Sequence, residues 1–180
     1  INDAKIFYLS GENAAAYKSL GTMKLFGKVP VQIIPISLAV GLTYFILEKT
    51  VLGRYIQAVG DNPKSAALAG INTARTLMFV YMASAVLAAL AGIFDTAKIG
   101  AADGNSLGLL AELDAIAAVA VGGTSMSGGR AKVFGSVIGA LIMQLITISV
   151  NMNNITYEYA QVMKALIIIF AVYIQREKTT

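Results

Sequence analysis

Long apolar runs separated by short polar segments form the main pattern of this sequence. Four runs, at 30–47, 76–93, 133–150 and 158–174, each contain 17 or 18 residues, and helices of about 17–25 apolar residues can cross a bilayer. A fifth run at 109–121 would reach only about 20 Å as a helix, which is less than the thickness of the bilayer core. The pattern predicts an all-α, polytopic transmembrane protein with about five membrane-crossing segments, one of them short or broken.

Small residues recur at a spacing of four in two of these runs. Ser84, Ala88 and Gly92 share one face of the run at 76–93, and Gly135 with Gly139 forms a GxxxG motif at 133–150. Small residues at this spacing let helices approach each other closely in lipid. We therefore expect helix–helix contacts along both faces.

The composition agrees with a membrane protein and excludes several kinds of site. Hydrophobic residues make up 57% of the chain and charged residues 13%, whereas soluble domains contain about 25% charged residues. The 180 residues include no cysteine and no histidine, so within them disulfides, thiolate or imidazole metal sites and histidine acid–base chemistry are excluded. The basic residues are scattered, and no nucleic-acid-binding surface is predicted.

The first 29 residues are polar and interrupted by glycines, and only a short helix near 12–19 is expected there. They lack the basic and apolar regions of a signal peptide. We therefore expect the chain to start inside a longer protein, after further membrane spans.

The distribution of basic residues in the loops predicts an orientation. With five crossings, one set of loops (48–75, 123–132 and 175–180) carries eight basic residues: Lys49, Arg54, Lys64, Arg75, Arg130, Lys132, Arg176 and Lys178. The other set (1–29, 94–108 and 151–157) carries five: Lys5, Lys18, Lys24, Lys28 and Lys98. Cytoplasmic loops are enriched in lysine and arginine, so the first set is predicted to be cytoplasmic.

The cytoplasmic segment 53–71, GRYIQAVGDNPKSAALAGI, contains a predicted short helix at Lys64–Ala69. Asn62 suits the N-cap, Pro63 the first helical position and Gly70 the C-terminal end. One interpretation is an ordinary connecting loop with a surface helix. The other is a docking helix for a cytoplasmic partner, because its serine and alanines would form a smooth face.

The segment 112–129, ELDAIAAVAVGGTSMSGG, contains two Gly-Gly pairs and three hydroxyl residues within eight positions. One interpretation is a helix packed through alanines and followed by a flexible turn. The other is a discontinuous helix beside a translocation path, because irregular backbone at membrane depth must be buried in protein or line a cavity. The segment lacks the Gly-Lys-Ser/Thr ending of a phosphate-binding loop.

Four ionisable residues lie near or inside the predicted spans: Asp95, Glu112, Asp114 and Lys164. Intramembrane charges are candidates for function, but acids in the first turn of a helix also stabilise it. For Lys164 we expect either a side chain extended towards the interface or an ion pair with an acid of another span. Four of the seven methionines, Met126, Met143, Met152 and Met163, are predicted to be packing residues.

These motifs together resemble one known family. The segments quoted above, with GSVIGALIM at 135–143 and QVMKALIIIFAVYIQ at 161–175, are similar to monosaccharide permeases of ATP-binding-cassette (ABC) importers. These are the ribose, xylose and galactose type, within the superfamily that includes branched-chain amino-acid permeases. The similarity covers most of residues 30–175. The loop 98–110 and the tripeptide 130–132 depart from the family pattern, which leaves the solute open.

The resemblance implies that 1–180 is one transmembrane permease domain, the C-terminal part of a longer subunit, with 1–29 periplasmic and with 48–75 and 175–180 cytoplasmic. A second permease subunit, a cytoplasmic ATPase that binds ATP and Mg²⁺, and a periplasmic sugar-binding protein would be its partners in the bacterial inner membrane. The permease itself would hold no cofactor, metal or catalytic site. The residues expected to couple to the ATPase are Arg54, Gly60, Asn62, Ala66, Ala67 and Gly70. Those expected at the translocation path or its hinge are Glu112, Asp114, Gly122, Gly123, Thr124, Ser125, Gly128 and Gly129.

The residues leave other functions open. An ion-coupled secondary transporter also uses broken helices and buried charges, but it needs no docking helix for a cytoplasmic partner. An ABC permease for a nucleoside, an autoinducer or a branched-chain amino acid would share the same motifs. A membrane-embedded enzyme without histidine or cysteine would require a Ser/Lys or an Asp/Asp site. Asp95 and Asp114 flank a loop, but their spacing matches no catalytic motif.

Overall fold

The computed structural model describes residues 7–8, 14–25, 29–104, 107–153 and 157–177. Helices account for 77% of this part of the chain, which confirms the all-α prediction. Eight helices are assigned in it: α1 Ala14–Thr22, α2 Ile33–Lys49, α3 Val51–Asp61, α4 Pro63–Leu68, α5 Thr73–Ile99, α6 Ala111–Val121, α7 Val133–Met152 and α8 Tyr157–Glu177. Four two-residue strands, β1 Phe7–Tyr8, β2 Lys24–Leu25, β3 Val29–Pro30 and β4 Ala101–Ala102, form the antiparallel pairs β1–β4 and β2–β3.

Each predicted apolar run corresponds to a helix, although α2 begins only at Ile33, after Pro30 in β3, and α6 only at Ala111. The predicted number of spans is not confirmed. By length and composition, α5 and residues Val133–Val150 of α7 can cross a membrane. The consecutive helices α2 and α3 pass the same test only as one bent pair, and the apolar stretch Gln161–Ala171 within α8 is shorter. The described residues therefore contain two candidate spans, or three if the bent pair counts as one.

The chain divides into two compact units, of which the first comprises Ile1–Ile46 and Ala74–Leu109. In this unit α1 packs on the C-terminal end of α5. The Tyr17 hydroxyl lies 2.6 Å from Thr96 Oγ1 and donates a hydrogen bond to the Ile93 carbonyl at 3.1 Å. A side chain at Gly21 would collide with the backbone of Ala97 and Lys98, so glycine permits this close packing.

The second unit comprises Leu47–Thr73 and Leu110–Thr180 and contains α3, α4, α6, α7 and α8. Its core consists of Ala117, Ala118 and Met143, with four partly buried residues packed around them: Val121, Ile146, Ile167 and Ile168. The core thus lies between α6, α7 and α8. This confirms the predicted packing role of Met143 and the packing of the short helix through alanines.

Much of the apolar surface is exposed on the chain by itself. Helix α2 has no buried residue, and α5 has only Thr76 and Ala97. The predicted small-residue face of Ser84, Ala88 and Gly92 is exposed in the described structure. Apolar faces of this size require lipid or further helices to cover them.

Some sequence predictions fall outside the described residues. These are the loop positions of Lys5, Lys28 and Lys178, the first residues of the helix expected near 12–19, and the turn at 154–156. The rest of that first helix is present as α1.

Helix α4 has defined caps at both ends, as predicted. The Asn62 side-chain oxygen accepts hydrogen bonds from the backbone N–H groups of Lys64 and Ser65, each at 3.0 Å, and Pro63 occupies the first helical position. At the other end Gly70 has a φ of 83°. The Gly70 and Ile71 N–H groups donate to the carbonyls of Ala67 and Ala66, each at 3.0 Å, which is a Schellman motif.

We predict that Asn62→Ala destabilises α4 locally. Loss of the N-cap costs about 1 kcal/mol, so backbone amides in 64–69 should exchange with solvent deuterium about five times faster. Mass-spectrometric hydrogen exchange on the full-length protein measures this. Asn62→Asp keeps the acceptor oxygen and should exchange like the parent. Equal acceleration in both variants would contradict a capping role.

Candidate functional site

The predicted coupling residues lie on α3, on α4 and on the turn after α4. The Arg54, Asn62, Ala67 and Gly70 positions are exposed, whereas Ala66 is only 4% exposed. Ala66 therefore packs inside the second unit instead of presenting its side chain to solvent. Among α4 residues, Leu68 is 91% exposed. Leu68 was not among the predicted coupling residues, although an apolar residue near the end of a helix with polar flanks indicates a contact surface.

The glycine-rich loop 122–132 is held by its own hydrogen bonds. The Thr124 hydroxyl accepts from the Lys132 N–H at 3.0 Å and lies 3.1 Å from the Ser136 hydroxyl at the start of α7. The Thr124 N–H donates to the Val119 carbonyl of α6 at 3.2 Å. These hydrogen bonds connect the loop to both α6 and α7, which argues against the interpretation of this segment as a flexible turn.

Helices α6 and α7 approach through glycine. A Cβ at Gly139 would collide with the Ala118 carbonyl oxygen, and a Cβ at Gly122 would collide with the Gly135 backbone. The GxxxG motif therefore forms a helix–helix contact, as predicted, and its partner is the short helix α6. Of the predicted hinge residues, Gly122 lies in this contact.

The structure also brings together glycines from the two motifs. The end of α3 lies against the loop: a Cβ at Gly128 would collide with the Gly60 carbonyl oxygen, and a Cβ at Gly60 would lie 3.1 Å from the Gly129 nitrogen. A Cβ at Gly129 would lie 2.9 Å from Asp61 Oδ1. The sequence did not predict this contact between the proposed coupling segment and the proposed hinge.

An ion pair joins α6 to α8. The Lys164 ammonium lies 2.7 Å from Asp114 Oδ1 and 2.8 Å from Oδ2. The lysine side chain is 5% exposed and the aspartate side chain 45% exposed. The expected pairing of Lys164 with an acid of another helix is confirmed, and Asp114 is that acid.

The other two ionisable candidates take no part in this ion pair. Glu112 is exposed on the first turn of α6. Asp95 belongs to the first unit, where it lines an open cavity of about 500 Å³ together with Tyr8, Asp103 and Leu107. Among the described residues, no group of three acidic side chains converges in a way that could hold a metal ion.

Residues 4–172 match the family described as the branched-chain amino acid transport system permease component. The chain belongs to this family. The similar curated proteins include the ribose import permease of Haemophilus influenzae, 41% identical over 161 residues, which covers 89% of this chain and 49% of the relative. No solved structure matches the chain.

Two further relatives are named for sugars other than ribose. The galactofuranose transporter permease of Escherichia coli K12 is 39% identical over 150 residues, covering 83% of this chain and 44% of the relative. The xylose transport system permease of Haemophilus influenzae is 37% identical over 146 residues, covering 81% of this chain and 39% of the relative. The chain thus spans about half the length of the ribose permeases it matches. Family membership and the apolar helices identify this permease-family chain as a membrane protein.

We predict that the two halves of the α6–α8 ion pair differ in their effect on stability. Asp114→Leu leaves a buried ammonium without its partner, which should cost about 3 kcal/mol. Lys164→Met leaves a half-exposed carboxylate that other groups can solvate, so its cost should be about 1 kcal/mol or less. Thermal unfolding of the purified full-length protein measures both. Glu112→Leu, two residues away and exposed, serves as the control, and equal losses at positions 114 and 164 would refute the asymmetry.

We also predict that Gly139→Ala forces α6 and α7 apart. The added methyl group collides with a backbone carbonyl that no side-chain rotation can move, and overpacking of this kind costs about 1–3 kcal/mol. The same unfolding measurement applies. Gly41→Ala on α2 is the matched control, because a Cβ there meets no described atom within 4 Å. Identical stability of the two variants would show that the α6–α7 contact has room to relax.

Proposed function

We propose that this permease-family chain is part of a transmembrane subunit of an ABC importer that moves a monosaccharide across the bacterial inner membrane. The similarity to sugar import permeases, 36–41% identical over 75–93% of the chain, carries the proposal. The relatives are named for ribose, galactofuranose, galactose and xylose, so the solute class is a small sugar.

The partners proposed for the subunit follow from the same relatives. An import permease of this kind works with a cytoplasmic ATPase, which would bind ATP and Mg²⁺, and with a sugar-binding protein outside the membrane. A second permease subunit would complete the path. The permease itself would carry out no covalent chemistry and would hold no cofactor.

The contact between the end of α3 and the loop 122–132 supports the proposed orientation. The charge distribution assigns both segments to the cytoplasmic side, and Gly60 packs directly against Gly129. Two segments in backbone contact lie at the same depth relative to a membrane. The helix α4, which follows α3, would then face the cytoplasm.

Helix α4 has the properties required of a surface on which the ATPase docks. It is short, capped at both ends and presents Ala67 and Leu68 outward. We assign the ATPase contact to Arg54, Asn62, Ala67 and Gly70, with Leu68 added because an exposed leucine can enter a groove of a partner. Ala66 would contribute by packing inside the second unit, and Gly60 by packing against the loop 122–132.

Helix α6 and the loop after it are the proposed moving element at the path. Alternating access requires a part of the protein with two discrete arrangements. The set Glu112, Asp114, Gly122, Gly123, Thr124, Ser125, Gly128 and Gly129 lies on this element. Helix α6 is short, the loop after it is irregular, and a specific ion pair joins α6 to α8. These properties suit an element that moves as a rigid body.

The second candidate is an ion-coupled secondary transporter, favoured only by the broken helices and the α6–α8 ion pair. An ABC permease for another small solute, such as a nucleoside, an autoinducer or a branched-chain amino acid, is the nearer alternative. The family description includes branched-chain amino acids. Sugar uptake and ATP dependence separate these possibilities.

We predict ATP-dependent uptake of a pentose or hexose by the full-length permease in proteoliposomes with its ATPase and binding protein. Ala67→Arg should abolish retention of the ATPase on the purified permease and reduce uptake at least about tenfold, because a buried unpaired charge at an interface costs several kcal/mol. Ala15→Arg, an exposed alanine on α1, is the matched control and should retain the ATPase.

Uptake that follows a proton or sodium gradient without ATP would contradict the importer proposal. Uptake of amino acids or nucleosides in preference to sugars would keep the importer and change its solute. Retention of the ATPase by the Ala67→Arg variant would remove α4 from the docking surface.

A further inference from the structure

The contact between α3 and the loop 122–132 consists of backbone against backbone. Gly60 and Gly128 meet without a side chain between them, and the Asp61 carboxylate lies beside Gly129. Gly128 has a φ of 97°, so both its conformation and its lack of a Cβ are required. Side chains can change rotamer to absorb a displacement, whereas two backbones in contact transmit it.

The loop is in turn fixed to the core of the second unit. The Thr124 N–H bonds to Val119 of α6, and the Thr124 hydroxyl bonds to Lys132 before α7. Gly122 packs on Gly135, and Asp114 at the other end of α6 holds Lys164 of α8. A continuous set of contacts therefore leads from α4 through the end of α3 and the loop to the short helix.

We propose that Gly60 and Gly128 are positioning residues whose contact stays closed throughout transport, so that α3–α4 and the loop 122–132 move as one body. A displacement of α4 by a partner would then reach α6 through this contact. The inference rests on the proposed importer function and adds to it a specific route for the displacement. Along the chain, α4 and α6 are separated by the whole of α5, so a contact through space provides the shorter path.

A reversible covalent link tests whether the contact stays closed. The built Cβ of Gly129 lies 3.2 Å from Asp61 Cβ, near the separation of about 3.5–4.5 Å in disulfides. The residues shown here contain no cysteine, so Asp61→Cys with Gly129→Cys, in a full-length permease free of other cysteines, forms a defined pair. Uptake and ATP hydrolysis are measured in the oxidised and the reduced protein, which carry the same two substitutions.

The expected result is that oxidation forms the disulfide and changes neither the uptake rate nor the sugar transported per ATP. A contact that must open during transport would instead give an oxidised protein that is inactive and recovers on reduction. That outcome would overturn the proposal. The two single-cysteine variants control for oxidation and for the strain of cysteine at position 129.

A larger side chain at position 60 tests whether the contact transmits a displacement of α4 to the loop 122–132. Gly60→Val inserts a branched side chain against the Gly129 backbone. Sugar transported per ATP should fall about fivefold or more, the lower end of typical coupling effects, while the ATPase remains bound. Gly41→Val on α2, with no described atom within 4 Å of its built Cβ, should leave this ratio unchanged. Where Gly60→Val does not accumulate, Gly60→Ala requires a shift of only a few tenths of an ångström and should give a smaller loss in the same direction.

Uptake per ATP at parental values in both Gly60 variants, with the protein folded and the ATPase bound, would overturn the proposal. The same assays separate its failure from that of the importer function. If the parent protein binds no ATPase and transports sugar without ATP, the proposed function is wrong. If the parent is an ATP-driven importer and the Gly60 substitutions have no effect, only the route through Gly60 and Gly128 is wrong.

Discussion

Close approach of backbones at glycine is the constraint on which the second unit depends. Gly122 and Gly139 let α6 and α7 come together at distances that no side chain would allow, and Gly60 with Gly128 does the same for α3 and the loop. In lipid, burial of apolar side chains provides little net attraction between helices, so packing at short range and polar contacts must hold them. The alanines of α6, with Ala117 fully buried and Ala118 nearly so, extend the same close packing along the helix.

This constraint explains why the position of the short helix α6 depends on its contacts with neighbouring elements and not on its own stability as a helix. Helix α6 has only eleven residues, and its N-cap residue Leu110 provides no side-chain hydrogen bond and has a φ of 62°. Such a helix has little stability alone. Its position comes from glycines on α7, from the ion pair with Lys164 and from hydrogen bonds of Thr124. A change at any of these contacts would move it as a body.

The elements were largely predictable from sequence, and the contacts between motifs were not. Apolar runs located α2, α5, α6, α7 and α8, and turn residues located α4, because Asn62, Pro63 and Gly70 act within a few residues of themselves. Helix α3 was not predicted, since it lies in a segment of mixed polarity. The contact of Gly60 with Gly128 joins positions far apart in the chain, and no local pattern encodes it. The burial of Ala66 was missed for the same reason, since one alanine among several on α4 has no distinguishing signal. The predicted number of spans is not confirmed among the described residues, because an apolar run, as in α8, need not give a helix that is apolar over its full length.

The second unit holds several polar features inside otherwise apolar packing. In the first unit α5 is apolar and exposed over most of its surface, as expected for a helix covered by lipid or by other spans. In the second unit a buried lysine, an irregular hydrogen-bonded loop and a capped surface helix lie within one compact body. Each of these costs free energy in an apolar setting unless it is matched by a specific partner. The partners are present for Lys164, for Thr124 and for the ends of α4, whereas the outward face of α4, with Leu68, is uncovered on this chain.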